Sequence, residues 1–250
     1  ARPNNLPFLL TNFIGREESI YQVKKYLKEG RIVTITGSGG SGKTRLALQT
    51  GADLTDDFAH GVFIAELSPV SDPSFIMQTI LNCLGIKENA GIPPEETLTA
   101  YLKNKEMLLI LDNCEHLINN CSRISEMLLS KCENLKIIAT SREALNSSGE
   151  YLYRIPALSL PDNSQNYTPD ELMQNESVRL FVERALSVNS NFRINTSNIP
   201  ALIKLCNRLD GIPLAIELAA AYTTVLSAEK INERLDDRFN LLKAGKRTSL

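Results

Sequence analysis

One short stretch near the start of the chain constrains its fold more than any other feature. The segment Gly37–Thr44 reads GSGGSGKT and fits the pattern G-x-x-x-x-G-K-[ST]. It follows a Val- and Ile-rich run that is typical of a buried strand, and it precedes a helical pattern. Glycines let the backbone N–H groups point inward, and the helix N-terminus adds partial positive charge. The sequence therefore predicts a phosphate-binding loop between a strand and a helix.

The residues of this loop are expected to take different parts in binding ATP or ADP. Lys43 is predicted to reach the β- and γ-phosphates, and the Thr44 hydroxyl is predicted to ligate Mg²⁺. Arg45, the next residue, is a further predicted contact of the nucleotide. The rest of the predicted phosphate cradle consists of Gly37, Gly39, Gly40, Ser41 and Gly42.

A dinucleotide-binding fold is an alternative interpretation of the same glycines. Gly37, Gly39 and Gly42 also satisfy G-x-G-x-x-G, and Glu66 ends the next strand about where a ribose-binding acid would lie. The chain would then be part of an oxidoreductase. The lysine and threonine after the last glycine favour phosphoryl chemistry, because a dinucleotide fold has no use for them.

Short apolar runs alternate with helical patterns through the first 155 residues, which predicts βαβ units and a parallel sheet. The expected fold class is α/β, a three-layer αβα P-loop NTPase sheet followed by a small all-α domain. We place the α/β domain at 1–155, a breaker-rich linker at 156–169 and a helical lid at 170–250. The predicted strands are Arg31–Thr36, Gly61–Leu67, Met107–Leu111, Lys136–Thr140 and Tyr151–Ile155, and the predicted helices include Thr44–Phe58, Asp72–Leu84, Pro94–Lys103, Ile118–Lys131, Ile199–Leu209 and Pro213–Leu226.

Two polar residues follow buried strands at the predicted carboxyl edge of the sheet. Asp112 follows the run Met107–Leu111 as a Walker B candidate, and is expected to bind Mg²⁺ directly or through water. A whole strand separates Lys43 from Asp112 in the sequence, which is typical of NTPases whose P-loop and Walker B strands are not sheet neighbours. Arg142, after another strand, is predicted to reach the γ-phosphate, with an ordinary surface ion pair as the alternative.

With these motifs in order, the chain resembles the STAND class of signal-transduction ATPases, which includes the NB-ARC proteins. Residues 13–17 read FIGRE and are similar to a family motif, which implies that Phe13, Ile14 and Arg16 flank the nucleotide. The resemblance also identifies Arg142 with the family's sensor arginine. It is strongest to bacterial regulators in which this ATPase is joined to a transcription-factor or cyclase domain and helical repeats.

A second family motif lies in the predicted lid. Residues 211–215 read GIPLA and resemble the family's Gly-x-Pro motif, which implies that Pro213 packs on adenine, with Leu214 beside it. The proline follows the breaker-rich linker and opens an apolar helix, where its missing N–H costs nothing. We therefore expect the bound nucleotide to fix the angle between the α/β domain and the lid.

One departure from the family pattern bears on catalysis. Many relatives carry a second acid directly after the Walker B Asp, whereas this chain has Asn113, and an amide cannot act as a general base. Glu115 is the nearest acidic residue that could polarise a water. We therefore expect an ATP/ADP switch with slow, Mg-dependent hydrolysis. A rapidly hydrolysing ATPase or kinase and a scaffold that ignores nucleotide are the alternatives.

Composition narrows the range of partners. The chain has 27 Lys+Arg against 29 Asp+Glu, so no net field favours direct binding to nucleic acid or an anionic membrane. No apolar run reaches the length of a spanning helix, and the start lacks a signal peptide's apolar stretch, so the cytoplasm is expected. The predicted partners are nucleotide and the other domains of a longer chain, and the resemblance implies self-oligomerisation on activation.

Overall fold

The computed structural model describes residues 2–8, 11–87 and 91–245, with side chains described as far as residue 236. It divides into two compact units, Ala1–Pro156 and Ala157–Leu250. The last five residues of the predicted lid, 246–250, lie outside the described residues. Within the described ranges, no helix combines the length and the apolar character needed to cross a membrane.

The first unit is a five-stranded parallel sheet with helices on both faces, so the predicted α/β class is confirmed. All five predicted strands are present, and their ends differ from the predicted ends by one residue at most. The strands are β1 Ile32–Thr36, β2 Val62–Glu66, β3 Met107–Asp112, β4 Leu135–Ser141 and β5 Glu150–Arg154. The helices are α1 Glu17–Glu29, α2 Lys43–Asp53, α3 Ile76–Cys83, α4 Pro94–Leu102 and α5 Ile118–Lys131.

Both faces of the sheet are buried, because alternate residues of each central strand enter different apolar clusters. On β3, Leu109 and Leu111 pack among residues of α3, α4 and α5. Leu108 and Ile110 point to the opposite face and pack among residues of α1 and α2. Each face of the sheet is thus covered by a layer of helices.

The sheet order is β2-β3-β4-β1-β5, so β4 lies between the P-loop strand and the strand that ends in Asp112. This confirms that the two are not sheet neighbours. The strand that separates them in space is β4, whereas β2, which separates them in sequence, lies at the edge. The β1–β4 register pairs Ile35 with Thr140, and the β3–β4 register pairs Leu111 with Ala139. The ends of all three strands therefore meet at one edge.

Residues 3–5 run along the outer edge of β2. The N–H of Val62 donates to the carbonyl of Pro3 at 3.2 Å. The Asn5 side chain forms both hydrogen bonds of a strand neighbour, accepting from the N–H of Ile64 at 2.7 Å and donating to its carbonyl at 2.9 Å. A Cβ on Gly61, which has φ +95°, would lie 1.9 Å from the Pro3 carbonyl oxygen. This approach therefore requires glycine.

Helix α1 is not among the predicted elements. Its N-cap is Arg16, which has φ 70° and forms no side-chain cap hydrogen bond. The Ser, Thr, Asp or Asn that ordinarily marks a helix start is therefore missing. Its apolar stripe, Val23 and Leu27, is fully or almost fully buried against the sheet.

The regular secondary structure described in the second unit is helical. Its helices are α6 Pro169–Leu172, α7 Glu176–Val188, α8 Ile199–Arg208, α9 Pro213–Ala221 and α10 Ala228–Gly245. Helix α6 begins with a capping box in which Thr168 and Glu171 bond each other's backbone N–H. Phe181 and Leu202 are fully buried, and the ring of Phe181 meets that of Phe192 edge-on.

The segment before α6 is fixed to the turn before α9. The N–H of Leu158 donates to the carbonyl of Gly211 at 3.0 Å. Gly211 has φ +63°, and a Cβ there would lie 2.5 Å from the carbonyl oxygen of Leu158. The glycine of the Gly-Ile-Pro motif thus has a packing role within its own unit.

Candidate functional site

The GSGGSGKT segment connects β1 to α2 at the carboxyl edge of the sheet, as predicted. Gly42 is the N-cap of α2 with φ 94°, a left-handed conformation that favours glycine. A Cβ on Gly37 would lie 2.6 Å from the Ile155 side chain and 2.9 Å from the Ser41 hydroxyl. That hydroxyl is buried and has no hydrogen-bond partner within the described part of the chain. The loop thus presents an unsatisfied donor at a helix N-terminus, which fits a phosphate oxygen.

The Lys43 side chain folds back over the loop. Its ammonium group donates to the carbonyls of Gly37 at 3.0 Å and Ser38 at 3.1 Å. Burial lowers the pKa of Lys43, while the nearby carboxylate of Glu115 raises it. A phosphate anion beside the ammonium would oppose the effect of burial, because opposite charge favours the charged form.

Asp112 is the centre of a hydrogen-bond network that joins the ends of β3 and β4 to the first turn of α2. The carboxylate is almost fully buried at the end of β3. Its Oδ1 accepts from the Thr44 hydroxyl at 2.7 Å and from the Thr140 hydroxyl at 2.6 Å. Its Oδ2 accepts from the Asn113 amide at 3.2 Å. The structure therefore brings together Thr44 and Asp112, the two predicted magnesium ligands, and adds Thr140, which was predicted only as the end of a strand.

Glu115 and Arg142, both predicted to act on the γ-phosphate or on water, form an ion pair. The Arg142 Nε lies 3.3 Å from Oε1 of Glu115, and the arginine side chain is 69% exposed. Glu115 is only 22% exposed, and its Oε2 is buried with no hydrogen-bond partner in the described part of the chain. Asn113, with φ 63°, turns the backbone into the short helix that carries Glu115. Arg142 thus forms a surface ion pair, which is the alternative to a contact with the γ-phosphate. Both side chains of the pair interact electrostatically with Lys43.

The side chains of Arg16 and Arg45 support the backbone around the loop. Arg16 is 5% exposed, and its guanidinium donates to the carbonyl of Ser41 at 3.2 Å and to that of Pro156. Arg45 donates to the hydroxyl of Thr11 at 2.8 Å and to neighbouring carbonyls. Direct contact of either arginine with a nucleotide stays a prediction.

The apolar residues predicted to flank the nucleotide lie in different units. Ile14 is buried, and Phe13 packs against the cluster between the sheet and helices α1 and α2. In the second unit, Pro213 is the first residue of α9, the position that suits its missing N–H, and Leu214 is 49% exposed. Their contact with adenine stays a prediction.

The donor groups at the sheet edge fit Mg²⁺. A hydroxyl and a carboxylate oxygen are the ligand types that this hard cation prefers, and Thr44 and Asp112 already meet at 2.7 Å. The residues that would hold the ion are therefore adjacent to those that would hold the phosphates.

Comparison with known proteins finds one matching family and several similar proteins. The NB-ARC domain family matches residues 16–152. An uncharacterised protein of Mycobacterium tuberculosis is 40% identical over 233 residues, which cover 93% of this chain and 56% of that protein. A candidate HTH-type transcriptional regulator of the same species is 37% identical over 225 residues, covering 90% of this chain and 24% of the regulator. The chain thus spans about half the length of one relative and a quarter of the other.

Among solved structures, the Walker-type ATPase of Pyrococcus abyssi is similar with a TM-score of 0.58 at 14% identity. The likeness covers 95% of this chain and 77% of the ATPase. At this identity it shows the fold alone.

Proposed function

Because this chain belongs to the NB-ARC family of P-loop ATPases, we propose that it is the nucleotide-operated switch of a longer regulatory protein, with Mg-ATP and ADP as its ligands. Nucleotide binding is a property of the family. The observation that carries the proposal is the Thr44–Asp112 hydrogen bond of 2.7 Å beside a loop with an unpartnered Ser41 hydroxyl. This hydrogen bond and the free hydroxyl support a phosphate site next to a cation site.

In the proposed binding mode, Lys43 and Ser41 both bind phosphate oxygens. The Lys43 ammonium leaves the carbonyls of Gly37 and Ser38 for phosphate oxygens, and the Ser41 hydroxyl gains the hydrogen bond that it lacks. Thr44 and Asp112 hold Mg²⁺, which when bound neutralises phosphate charge. Arg16 keeps the loop backbone in place through the Ser41 carbonyl.

Slow turnover is the second part of the proposal. Asn113 follows the Walker B Asp, and its amide donates to Asp112, so it has no basic group to offer a water. Glu115 forms its ion pair through Oε1. If bound ATP is hydrolysed slowly, the ATP-bound state lasts long enough to carry a signal.

A rapidly hydrolysing ATPase is the second candidate, favoured by the unpartnered Oε2 of Glu115. That oxygen has no protein hydrogen-bond donor among the described residues, and the Glu115 carboxylate interacts electrostatically with Lys43. Single-turnover hydrolysis of Mg-ATP by the wild-type chain separates the two candidates. A rate constant near the enzyme median of about 10 s⁻¹ would favour the enzyme, and one several orders of magnitude lower the switch.

We further propose that the rest of the longer protein supplies the signal input and the output, and that the output is regulation of transcription in the cytoplasm. One relative is a candidate HTH-type transcriptional regulator of which the matched region is 24%. Self-association on activation belongs to the same proposal. The domains that read the nucleotide state then lie outside the region described above.

Thermal unfolding with added nucleotide tests the binding proposal. At a ligand concentration one hundred times the dissociation constant, Mg-ATP or ADP is expected to stabilise the fold by about 2.7 kcal/mol. Lys43→Ala should lose most of this gain, because the phosphates lose their cationic partner. Lys103→Ala, at an exposed position after α4, is the matched control and should keep the full gain. An unchanged wild-type melting temperature with millimolar nucleotide would refute the proposal.

A further inference from the structure

Thr140 lies where the sheet order brings the two halves of the predicted magnesium site together. It belongs to β4, the strand between β1 and β3, and it is fully buried. Its hydroxyl contacts both the carboxylate of Asp112 and the backbone N–H of Asn113. A single side chain on β4 thus connects with the end of the Walker B strand.

The direction of each hydrogen bond at Thr140 follows from the chemistry of its partners. A backbone N–H can only donate, so the hydroxyl oxygen accepts from the N–H of Asn113 at 3.0 Å. The hydroxyl proton then goes to Oδ1 of Asp112 at 2.6 Å, a bond to a charged acceptor. Thr140 therefore fixes the carboxylate and the backbone that follows it at the same time.

The other two hydrogen-bond donors to Asp112 are less suited to fixing its carboxylate. Thr44 is itself a predicted magnesium ligand, so its hydroxyl has two uses. Asn113 binds the other carboxylate oxygen at the longer distance of 3.2 Å. Thr140 is the donor to Oδ1 that has no predicted role toward a ligand.

We infer that Thr140 is the positioning residue of the magnesium site: its hydroxyl holds the Asp112 carboxylate in the orientation that the cation requires. This inference rests on the proposed nucleotide and Mg²⁺ binding. It assigns no ligand role to Thr140, because the hydroxyl already uses its proton for Asp112 and a lone pair for Asn113.

The test measures how strongly ADP binding depends on Mg²⁺ in the full 250-residue chain. A fluorescent ADP analogue is titrated in EDTA and then across Mg²⁺ concentrations, for wild type, Thr140→Val and Thr140→Ser. Thr140→Val keeps the shape of the side chain and removes the hydroxyl, and Thr140→Ser keeps the hydroxyl. Thr34→Val is the matched control, because Thr34 is buried on β1 and its hydroxyl has no partner in the described part of the chain.

Thr140→Val is expected to raise the Mg²⁺ concentration for half-maximal effect about tenfold or more, since one bond to a charged group is lost. Affinity in EDTA should stay within about twofold of wild type. Thr140→Ser and Thr34→Val should both keep the wild-type midpoint. If Thr140→Val does not fold, Thr140→Ala replaces it, with the same shift expected.

Two results would overturn the inference. One is a wild-type Mg²⁺ midpoint in the folded variant that lacks the hydroxyl. The other is an equal loss of affinity in EDTA and in Mg²⁺, which indicates a general structural role. Failure of the wild-type chain to bind the ADP analogue under either condition would instead refute the proposed function.

Discussion

The contact between Gly211 and Leu158 allows a sharp prediction about the Gly-Ile-Pro motif. Gly211→Ala places a methyl group 2.5 Å from the Leu158 carbonyl oxygen and 3.1 Å from its nitrogen, at a residue with φ +63°. The left-handed backbone alone costs an L-residue about 1–2 kcal/mol. Relief of the contact must also move the Leu158 backbone, which breaks the 3.0 Å hydrogen bond to Gly211 at a cost of about 1 kcal/mol.

The expected loss of stability is therefore about 2–3 kcal/mol, a large part of the total for a domain. Urea unfolding followed by circular dichroism measures it by linear extrapolation. The control is Gly149→Ala, because Gly149 has φ +74° but a Cβ there would meet nothing within 4 Å. That variant should lose only the free energy of the left-handed backbone, about 1–2 kcal/mol. Equal losses in the two variants would show that the Leu158 contact contributes nothing.

Further predictions concern the nucleotide. Glu115→Gln should slow single-turnover ATP hydrolysis while leaving ADP affinity unchanged, because the amide is no base; a wild-type rate would remove Glu115 from the reaction. Pro213→Ala should weaken ADP binding, measured by calorimetry, and leave urea unfolding nearly unchanged, because alanine is well tolerated at the first position of a helix. The nucleotide is also expected to fix the angle between the α/β domain and the lid. Small-angle scattering with and without saturating ADP measures this change, and identical profiles would contradict it.

The parts of this fold that were predictable are those that depend on local pattern. The apolar runs of the five strands are bounded by glycine and polar residues, and the structure places their ends within one residue of the prediction. Helix α5, Ile118–Lys131, has the predicted ends because its apolar period is uninterrupted. Helix α1 was not predicted, since its start depends on the left-handed backbone of Arg16 and not on a capping side chain.

The site is harder to predict, because it depends on which strands are neighbours in the sheet. Thr140 appears in the sequence as the end of a strand, and nothing local indicates that its hydroxyl meets Asp112. That contact follows only from the insertion of β4 between β1 and β3. The Glu115–Arg142 ion pair likewise joins residues 27 positions apart across two strand ends. The sequence shows only that these strands end in polar residues. Which of these residues meet each other depends on the order of the strands in the sheet.

The segment that runs along β2 also affects how the protein reaches its native state. Asn5 must find Ile64, 59 residues later in the chain, and such distant contacts form slowly because loop closure costs entropy. Until that happens, β2 presents the run VFIAE with an unpaired row of N–H and carbonyl groups, which can template pairing with another chain. The Asn5 amide closes this row by imitating a backbone. Loss of the Asn5 amide is therefore expected to lower solubility during refolding.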